Sequence, residues 1–246
     1  MHPVLIKIGS ISVYSYGFIL AVAFIVSFFI AISEAKRKSI SLDVVYDLTL
    51  AAMIGGVVGA RIFYVIAHLD YFFEHLLKIF VIQDGGLVFY GGLVGGTLAV
   101  FLVISLKKLV TSKVADMVAP CLALGGAIGR IGCFLNGCCY GKPSNVFWVV
   151  KFPGLPYARH PTQIYDLLYN LIIFGIIWNF RKKTDKDGMI FWIYLFLYST
   201  GRFIVEFFRV TKIVSLGLTG AQLISLGIFL ISAVVLFKKY LLSRSS

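Results

Sequence analysis

Four arginines lie in or beside apolar stretches of the sequence: Arg61, Arg130, Arg202 and Arg209. A charged side chain inside a membrane costs about 3 kcal/mol or more unless it faces a cavity or a partner. The planar guanidinium group binds phosphate and carboxylate groups through two parallel hydrogen bonds. These arginines therefore predict a site for an anionic group within the apolar part of the chain.

Arg130 belongs to a glycine-rich stretch, 129–141, in which Asn136 and Gly141 are further candidate binding residues. The stretch also holds three of the four cysteines, Cys133, Cys138 and Cys139, whereas the fourth is Cys121. Their Cys-x4-Cys-Cys spacing differs from the Cys-x2-Cys pairs of zinc knuckles, so we expect neither a metal site nor a soluble cofactor. We interpret the cysteines as small residues packed between helices. The alternative is a disulfide, if the segment faces an oxidising compartment.

Arg202, Glu206 and Arg209 follow one another at i, i+4 and i+7, which places them on one face of a helix. Two cations and one anion leave a surplus positive charge for a ligand. The alternative is that Glu206 only neutralises the two arginines. Because charges at membrane depth are costly, we favour a functional role.

A second polar stripe, formed by Gln163, Asp166 and Asn170, occupies one face of another predicted helix. It directly follows Arg159-His160-Pro161. A histidine is often a structural hydrogen-bonding residue. The dense polar setting makes a binding role for His160 an equal alternative.

The segment 84–96, which begins at Asp84, opens a further helix with several glycines. It lacks the spacing and the Lys-Ser/Thr ending of a nucleotide-binding P-loop. Gly91 and Gly92, beside Tyr90, would let a lipid headgroup approach the backbone closely. The Gly-x-Ser-x-Gly motif of lipase-like hydrolases is absent from the sequence.

The composition requires membrane-spanning helices to position these residues. Of the 246 residues, 59% are hydrophobic and 14% are charged, and the mean hydropathy is +0.93. Soluble domains are nearer a quarter charged. The net charge of +12 does not indicate nucleic acid, because the lysines and arginines lie in short polar gaps rather than in a stripe interleaved with aromatic residues. We expect an integral membrane protein that binds membrane lipid and no nucleic acid.

Seven apolar runs approach or exceed the roughly 20 residues that a helix needs to cross a bilayer. The runs are 11–32, 44–68, 87–106, 114–135, 162–180, 189–208 and 218–237. The fourth run is the least hydrophobic, which is typical of a helix that lines a polar cavity. The first is long enough to span the membrane rather than to be removed as a signal peptide. The predicted fold is an all-α integral membrane protein with seven transmembrane helices.

The positions of the lysines and arginines indicate the orientation. Thirteen of them follow the first, third, fifth and seventh runs, and six lie in the alternate gaps. Cytoplasmic loops carry the excess of positive residues. The N-terminus is therefore predicted outside and the C-terminus in the cytoplasm.

The predicted outward segments, 70–86 and 137–161, are also the longer and more irregular ones, and function tends to lie on such loops. We expect residues 1–246 to form a single polytopic domain whose polar cavity opens toward the outer side. Three Gly-x3-Gly pairs predict close helix packing: Gly55 with Gly59, Gly91 with Gly95, and Gly125 with Gly129.

Four ordered motifs resemble those of the prolipoprotein diacylglyceryl transferases. They are Gly-Gly-Leu-Val-Phe-Tyr-Gly-Gly-Leu at 85–93, the stretch 129–141, Arg159-His-Pro-Thr-Gln-Ile-Tyr165, and Gly201-Arg-Phe-Ile-Val-Glu-Phe-Phe-Arg209. Shorter matches are Tyr16-Gly17, Gly59-Ala-Arg61 and Ala115-Asp116. The resemblance therefore covers nearly the whole chain.

The resemblance implies a seven-helix enzyme of the bacterial plasma (inner) membrane. Such an enzyme moves the diacylglyceryl group of phosphatidylglycerol to the lipobox cysteine thiol of a secreted prolipoprotein and releases glycerol phosphate. The resemblance assigns Arg130 and Arg202 to binding the phosphate. Tyr90 is the third catalytic candidate. The expected substrate-binding residues are Tyr16, Arg61, Gly91, Gly92, Asn136, Gly141, His160, Gln163, Glu206 and Arg209.

The chain departs from the better-known members of this family at three positions. Tyr90 replaces a histidine, and Cys133 and Cys138 replace the asparagine of Gly-Asn-Phe and the glutamate of Asn-Gly-Glu. The histidine is the usual candidate for deprotonating the substrate thiol. A tyrosine, with a reference pKa of about 10, is a poor base at neutral pH. The thiol would instead ionise in the field of the arginines, since nearby cations lower the pKa of a cysteine.

Two alternatives stay open at this point. One is a related lipid transferase that acts on a different acceptor. The other is a transporter of an anionic lipid or solute, which would also explain buried arginines. Transporters often consist of two repeated halves, and the sequence shows no such repeat.

Overall fold

The computed structural model describes residues 1–8, 11–81, 85–184 and 186–244, so Asp84 lies outside the described residues. In chain order the helices are α1 (Ser15–Arg37), α2 (Leu42–Ala67), the short α3 (Leu69–Glu74), α4 (Phe89–Leu106), α5 (Thr111–Asn136), α6 (Thr162–Phe180), α7 (Met189–Glu206) and α8 (Gly220–Arg244). A 3₁₀ helix, Leu76–Phe80, follows α3. All of the α-helices except α3 are long and apolar enough to cross a membrane. The seven predicted spans are therefore confirmed.

The second strands of two short hairpins occupy the beginnings of the first and last predicted spans. Strand β1 (Val4–Ile8) pairs antiparallel with β2 (Ile11–Tyr14), and β3 (Ile213–Ser215) pairs antiparallel with β4 (Leu218–Thr219). The first span consequently begins at Ser15 and the last at Gly220. Hydropathy alone does not separate a short apolar strand from the end of a helix. The β-branched and aromatic residues of β2 favour the strand.

The helices group into two compact units, a smaller one of residues 32–114 and a larger one of residues 1–31 and 115–246. In the smaller unit α2 packs along α4 through glycines. A Cβ atom on Gly55 would lie 2.5 Å from the Cβ of Ala99, and one on Gly59 would lie 2.7 Å from the Cα of Gly95. The close packing predicted from these glycine pairs is confirmed.

The apolar core of the larger unit lies between α5, α6 and α7. Its buried members are Ala119 and Ala123, Ile173 and Ile177, and Ile190 and Tyr194. Each pair is four residues apart and so occupies one face of its helix. Gly125 lies against α1, since its Cβ would be 2.5 Å from the Ser27 Oγ, whereas a Cβ on Gly129 would have no described atom within 4 Å. The third glycine pair therefore packs closely at one of its two positions.

Asp116 of α5 fixes the beginning of α7. Its Oδ2 accepts a hydrogen bond from the Gly188 N–H at 2.9 Å, and its Oδ1 accepts one from the Phe191 N–H at 2.9 Å. These N–H groups at the first turn have no partner within their own helix. Asp116 thus orients the helix whose other end carries Arg202 and Glu206.

Candidate functional site

The polar side chains of the larger unit meet at one end of its helices. This end is formed by the last turns of α5 and α7 and the first turns of α6 and α8. Two carboxylates are fully buried there, Asp166 on α6 and Glu206 on α7. Three arginines approach them: Arg130, Arg202 and Arg209.

Glu206 joins α7 to the beginning of α8. Its Oε2 lies 2.7 Å from Nη2 of Arg202 and 3.7 Å from Nε of Arg209. Its Oε1 accepts a hydrogen bond from Oγ1 of Thr219 at 3.1 Å. The predicted grouping of Arg202, Glu206 and Arg209 is present, but α7 ends at Glu206, so Arg209 lies just beyond the helix rather than on its face.

Asp166 lies between two of the arginines. Its Oδ2 is 3.1 Å from Nε of Arg130 and 3.6 Å from Nη1 of Arg209. Three guanidinium groups against two carboxylates leave one positive charge unbalanced. Buried polar atoms normally have hydrogen-bond partners, yet Nη1 of Arg202 and Nη1 of Arg209 are buried and donate no hydrogen bond to any part of the chain that the structure describes. The site is therefore suited to a further anion.

The segment between α5 and α6 is joined to the end of α7 through its backbone. The Gly141 N–H donates to the His160 carbonyl at 2.9 Å, and the Lys142 N–H donates to the Phe208 carbonyl at 2.7 Å. Gly141 also forms a β-bridge with Arg209. A Cβ on Gly141 would collide with the Phe208 carbonyl oxygen and lie 2.9 Å from the His160 Cβ. The glycine thus allows the close approach that places Arg209.

His160 is part of a chain of hydrogen-bonded rings. Its Nδ1 lies 2.9 Å from Oη of Tyr165, and the same Oη accepts a hydrogen bond from Nε1 of Trp148 at 2.7 Å. The His160 ring also packs edge-on against Phe208. These contacts support the structural alternative for His160, and its substrate contact stays a prediction.

The last turn of α5 ends in a Schellman motif that brings two cysteines together. The Gly137 N–H donates to the Phe134 carbonyl, and the Cys138 N–H donates to the Cys133 carbonyl, both at 3.1 Å. Gly137 takes the left-handed conformation that this motif requires, with φ +72°. The motif folds Cys138 back against Cys133, which lies one turn earlier.

Cys139 completes a cluster of three thiols. The Sγ atoms of Cys133, Cys138 and Cys139 all lie within 4.8 Å of one another, and all three cysteines are free. A hydrogen bond from the Cys133 thiol lowers the pKa of Cys139 to about 5, and the charges of Arg209 and Arg130 act in the same direction. Burial raises the pKa of the neighbouring Cys138 thiol. The linear spacing did not predict this cluster, because a helix cap rather than a knuckle brings the cysteines together.

Three other predicted residues surround the cysteines. The Gln163 Nε2 donates a hydrogen bond to the Cys138 carbonyl at 2.5 Å. Asn136 is the last residue of α5 and lies two residues before Cys138. Tyr16 of α1 faces this turn, since a Cβ on Gly132 would lie 3.3 Å from its ring. The fold therefore brings most of the predicted residues of the larger unit into one neighbourhood.

Arg61 lies in the smaller unit and binds the backbone. Its Nε, Nη1 and Nη2 groups donate to five carbonyl oxygens in the segment 78–86, at distances of 2.5 to 3.1 Å. A guanidinium group has five N–H donors, so all of them are used. The structure gives Arg61 the role of fixing residues 78–81 and 85–86, and a direct contact with substrate stays a prediction.

Tyr90, Gly91 and Gly92 also belong to the smaller unit, at the beginning of α4. Tyr90 is 72% exposed. The face of Gly91 lies against α2, because a Cβ there would be 2.5 Å from the Cβ of Phe63, and a Cβ on Gly92 would be 3.2 Å from the Gly56 carbonyl oxygen. Both glycines therefore pack helix on helix, and their contact with a headgroup stays a prediction.

The sequence predicts neither one pairing nor one residue of this site. Asp166 belongs to the predicted polar stripe, but its pairing with Arg130 and Arg209 depends on how three helix ends meet. Thr219 was not identified, although Thr-x-x-Gln is the sequence signal of a capping box. In the structure the Gln222 N–H donates to the Thr219 Oγ1 at 3.2 Å, and the Thr219 N–H donates to the Gln222 Oε1 at 3.0 Å.

Seven spanning helices and a partly buried cationic cluster at one helix end define a multi-pass membrane protein built to handle an anionic group. The family model described as prolipoprotein diacylglyceryl transferase matches residues 3–238. The chain belongs to this family.

Individual relatives agree with that membership, and each is named as a phosphatidylglycerol–prolipoprotein diacylglyceryl transferase. The protein from Clostridioides difficile is 36% identical over 92% of this chain and 90% of its own length. The protein from Streptococcus equi subsp. zooepidemicus is 34% identical over 98% of this chain and 96% of its own length. The protein from Clostridium tetani is also 34% identical, over 85% of this chain and 86% of its own length. The resemblance stated from the motifs is confirmed.

Proposed function

We propose that this protein is the transferase that moves the diacylglyceryl group of phosphatidylglycerol to the lipobox cysteine thiol of a prolipoprotein and releases glycerol phosphate. The observation that carries the proposal is the surplus of guanidinium groups around Asp166 and Glu206. Two of their buried donors, Nη1 of Arg202 and Nη1 of Arg209, donate no hydrogen bond to the described residues, although Nη1 of Arg209 lies within ion-pair distance of Oδ2 of Asp166, at 3.6 Å. Family membership supplies the reaction in which such donors have a use.

In this reaction glycerol phosphate is the leaving group, and the arginines are suited to stabilise its phosphate. A sulfur–carbon bond forms at the glyceryl carbon while the carbon–oxygen bond to the phosphate breaks, so negative charge grows on the phosphate oxygen. Donors fixed in place stabilise developing charge without the cost of reorganising solvent. Asp166 and Glu206 hold Arg130, Arg202 and Arg209 in position, and we assign Arg130 and Arg202 to the phosphate.

The remaining assignments extend from this centre. We propose that Tyr16, Asn136, Gly141, His160, Gln163, Glu206 and Arg209 line the substrate site in the larger unit. For the smaller unit, Tyr90, Gly91, Gly92 and Arg61 stay the proposed substrate residues, and we assign the Tyr90 hydroxyl to orienting a headgroup.

An apolar groove between α7 and α8 fits the other part of the lipid. It is lined by Phe203, Ile204, Leu226 and Phe229, together with small hydroxyl residues. Phe203 directly follows Arg202 in the chain. A groove with these walls suits part of an acyl chain whose headgroup reaches the arginines.

The placement of lysines and arginines supports an orientation for the enzyme. Because more lysines and arginines follow the first, third, fifth and seventh spans than the others, we propose that the N-terminus is outside and the C-terminus is cytoplasmic. The site and the segments 70–86 and 137–161 then face outward, where secreted precursors arrive. We further propose a single polytopic domain of the bacterial inner membrane, with a polar cavity that opens to the outer side.

Complementation tests the function directly. A bacterium depleted of its own transferase is given this chain or its Arg130→Lys variant, and a model precursor is analysed by mass spectrometry. We expect the chain to restore the mass increase of one diacylglyceryl group, and a precursor with serine at the lipobox cysteine to gain none. Growth without any modified precursor would favour a related transferase with another acceptor, whereas uptake of anionic lipid without any modification would favour a transporter.

A further inference from the structure

The three thiols at the end of α5 have the spacing of metal ligands. A zinc ion with zinc–sulfur bonds of 2.3 Å and tetrahedral geometry places its sulfur atoms about 3.8 Å apart. The Sγ atoms of Cys138 and Cys139 are 3.7 Å apart, and all three Sγ atoms lie within 4.8 Å of one another. Displacements of the Sγ atoms by no more than about 1 Å, through side-chain rotation, would therefore bring the three thiols to the distances of zinc ligands.

We propose that Cys133, Cys138 and Cys139 bind a zinc ion, and that the acceptor thiol of the precursor takes the fourth coordination position. The second half of this proposal rests on the proposed function. The first half stands on the geometry of the cluster and departs from the expectation, drawn from linear spacing, that the protein holds no metal.

The backbone around the cluster is fixed by contacts outside it. The Schellman motif holds Cys138 against Cys133. The Gln163 side chain donates to the Cys138 carbonyl at 2.5 Å, and the Thr162 Oγ1 donates to the Cys139 carbonyl at 2.7 Å. Outer contacts of this kind orient metal ligands.

Cys139 also has an unusual backbone conformation. Its φ of +65° is left-handed, which a residue with a side chain seldom adopts. Such conformations cost about 1–3 kcal/mol and are found where the surrounding structure holds a functional group in place. Here the conformation turns the third sulfur toward the other two.

The cluster leaves one coordination position open. The described histidine, cysteine, aspartate and glutamate side chains contribute three ligand atoms to the group and no fourth. Structural zinc sites are closed by four protein ligands, whereas catalytic sites have three and take substrate at the fourth position. Three thiolates and Zn²⁺ carry one negative charge, and Arg130 and Arg209 lie close enough to interact with the cluster electrostatically. The open position therefore lies beside the arginines that we assign to the phosphate.

Zinc in this place would prepare the acceptor for the proposed reaction. A thiol that coordinates zinc loses its proton, which passes to water. Its sulfur lone pair then forms the bond to the glyceryl carbon, and the carbon–oxygen bond breaks with its electron pair going to the phosphate of glycerol phosphate. The product thioether is neutral and a weaker ligand than a thiolate, so it leaves the metal. No basic side chain from the protein is needed.

Metal analysis of the full-length chain, purified in detergent under reducing conditions, tests the site. We expect about one zinc ion per chain in the wild type and in Cys121→Ser, whose thiol lies apart from the cluster on the same helix. We expect less than about one ion per ten chains in Cys133→Ser, Cys138→Ser and Cys139→Ser. Wild-type protein stripped with a chelator and reloaded with zinc provides the same comparison without any substitution.

Cobalt tests the fourth position. In protein reloaded with Co²⁺, a precursor peptide with its acceptor cysteine should raise the thiolate-to-cobalt absorption by about one third, because four thiolates replace three. The same peptide with serine should leave the absorption unchanged. This measurement requires no turnover, so it is independent of the transfer assay.

The outcomes separate the two proposals. A wild-type chain without zinc, or with a disulfide between two of the cluster cysteines, overturns the metal site, whereas full transfer by the triple serine variant overturns its role in thiol activation. In each of these cases the proposed function stands if transfer is observed. Bound zinc with no response to the cysteine peptide overturns the role in thiol activation. A cysteine-specific response without any transfer upholds the site and counts against the proposed function.

Discussion

Replacing Arg202 with lysine tests whether geometry, rather than charge alone, serves the phosphate. Arg202 places Nη2 2.7 Å from Oε2 of Glu206 and leaves Nη1 buried with no hydrogen-bond partner among the described atoms. A lysine ammonium group is a point charge on a flexible stem. It can contact Glu206 or a phosphate, but it cannot hold both in the geometry of the guanidinium fork.

The size of the effect follows from the bond that is lost. A hydrogen bond to a charged group contributes about 1.5–3 kcal/mol. If that bond is strongest as the phosphate leaves, kcat/KM should fall about 10- to 150-fold. We expect Arg130→Lys to act in the same direction, because Arg130 is held by Asp166 at 3.1 Å and is assigned to the same phosphate.

The assay uses purified variants in detergent with phosphatidylglycerol and a precursor peptide, and it follows glycerol phosphate release and peptide mass. Arg181→Lys is the matched control, since Arg181 caps the opposite end of α6 from Asp166. It should keep the wild-type kcat/KM. Wild-type values for Arg202→Lys and Arg130→Lys, with normal amounts of protein in the membrane, would refute the assignment of these arginines to the phosphate.

Three further substitutions test neighbouring parts of the structure. Gly141→Ala should abolish most transfer, because the added methyl group collides with the Phe208 carbonyl and displaces Arg209; wild-type activity would contradict that packing. Tyr90→Phe should reduce kcat/KM about tenfold, the scale of one hydrogen bond, and leave the shape of the pH–rate profile unchanged, whereas complete loss would make Tyr90 the base. Arg61→Lys should lower the free energy of unfolding by about 3 kcal/mol as hydrogen bonds to the segment 78–86 are lost. Limited proteolysis of that segment should accelerate, and an unchanged cleavage rate would show that the segment does not depend on Arg61.

The elements themselves are largely determined by the sequence. Runs of about 20 apolar residues are sufficient to predict seven spans, and the structure has them. The close packing of α2 on α4 was also predictable, because glycines four residues apart on both helices indicate it. The errors lie at the ends, as at β2 and β4, where hydropathy does not separate a strand from a helix.

The candidate site was predicted as a set of residues but not as a set of contacts. Arg130, Arg202 and Arg209 were identified because cations are rare in apolar stretches. The pairing of Arg130 and Arg209 with Asp166 was not predicted, because it joins groups on three different helix ends. Nor could the sequence show that all the donors of Arg61 bind one backbone segment.

The cysteines show most clearly where sequence ends and tertiary structure begins. Gly137 indicates a helix cap. A Schellman motif brings the residue after its glycine, here Cys138, close to the residue four positions before that glycine, here Cys133. That much was within reach of the sequence. The third sulfur, in contrast, joins the others only because Thr162 of α6 holds the Cys139 carbonyl and because Cys139 takes a left-handed conformation. Hydropathy and spacing record local preference, whereas a binding site depends on contacts between distant helix ends, which form only when the chain packs.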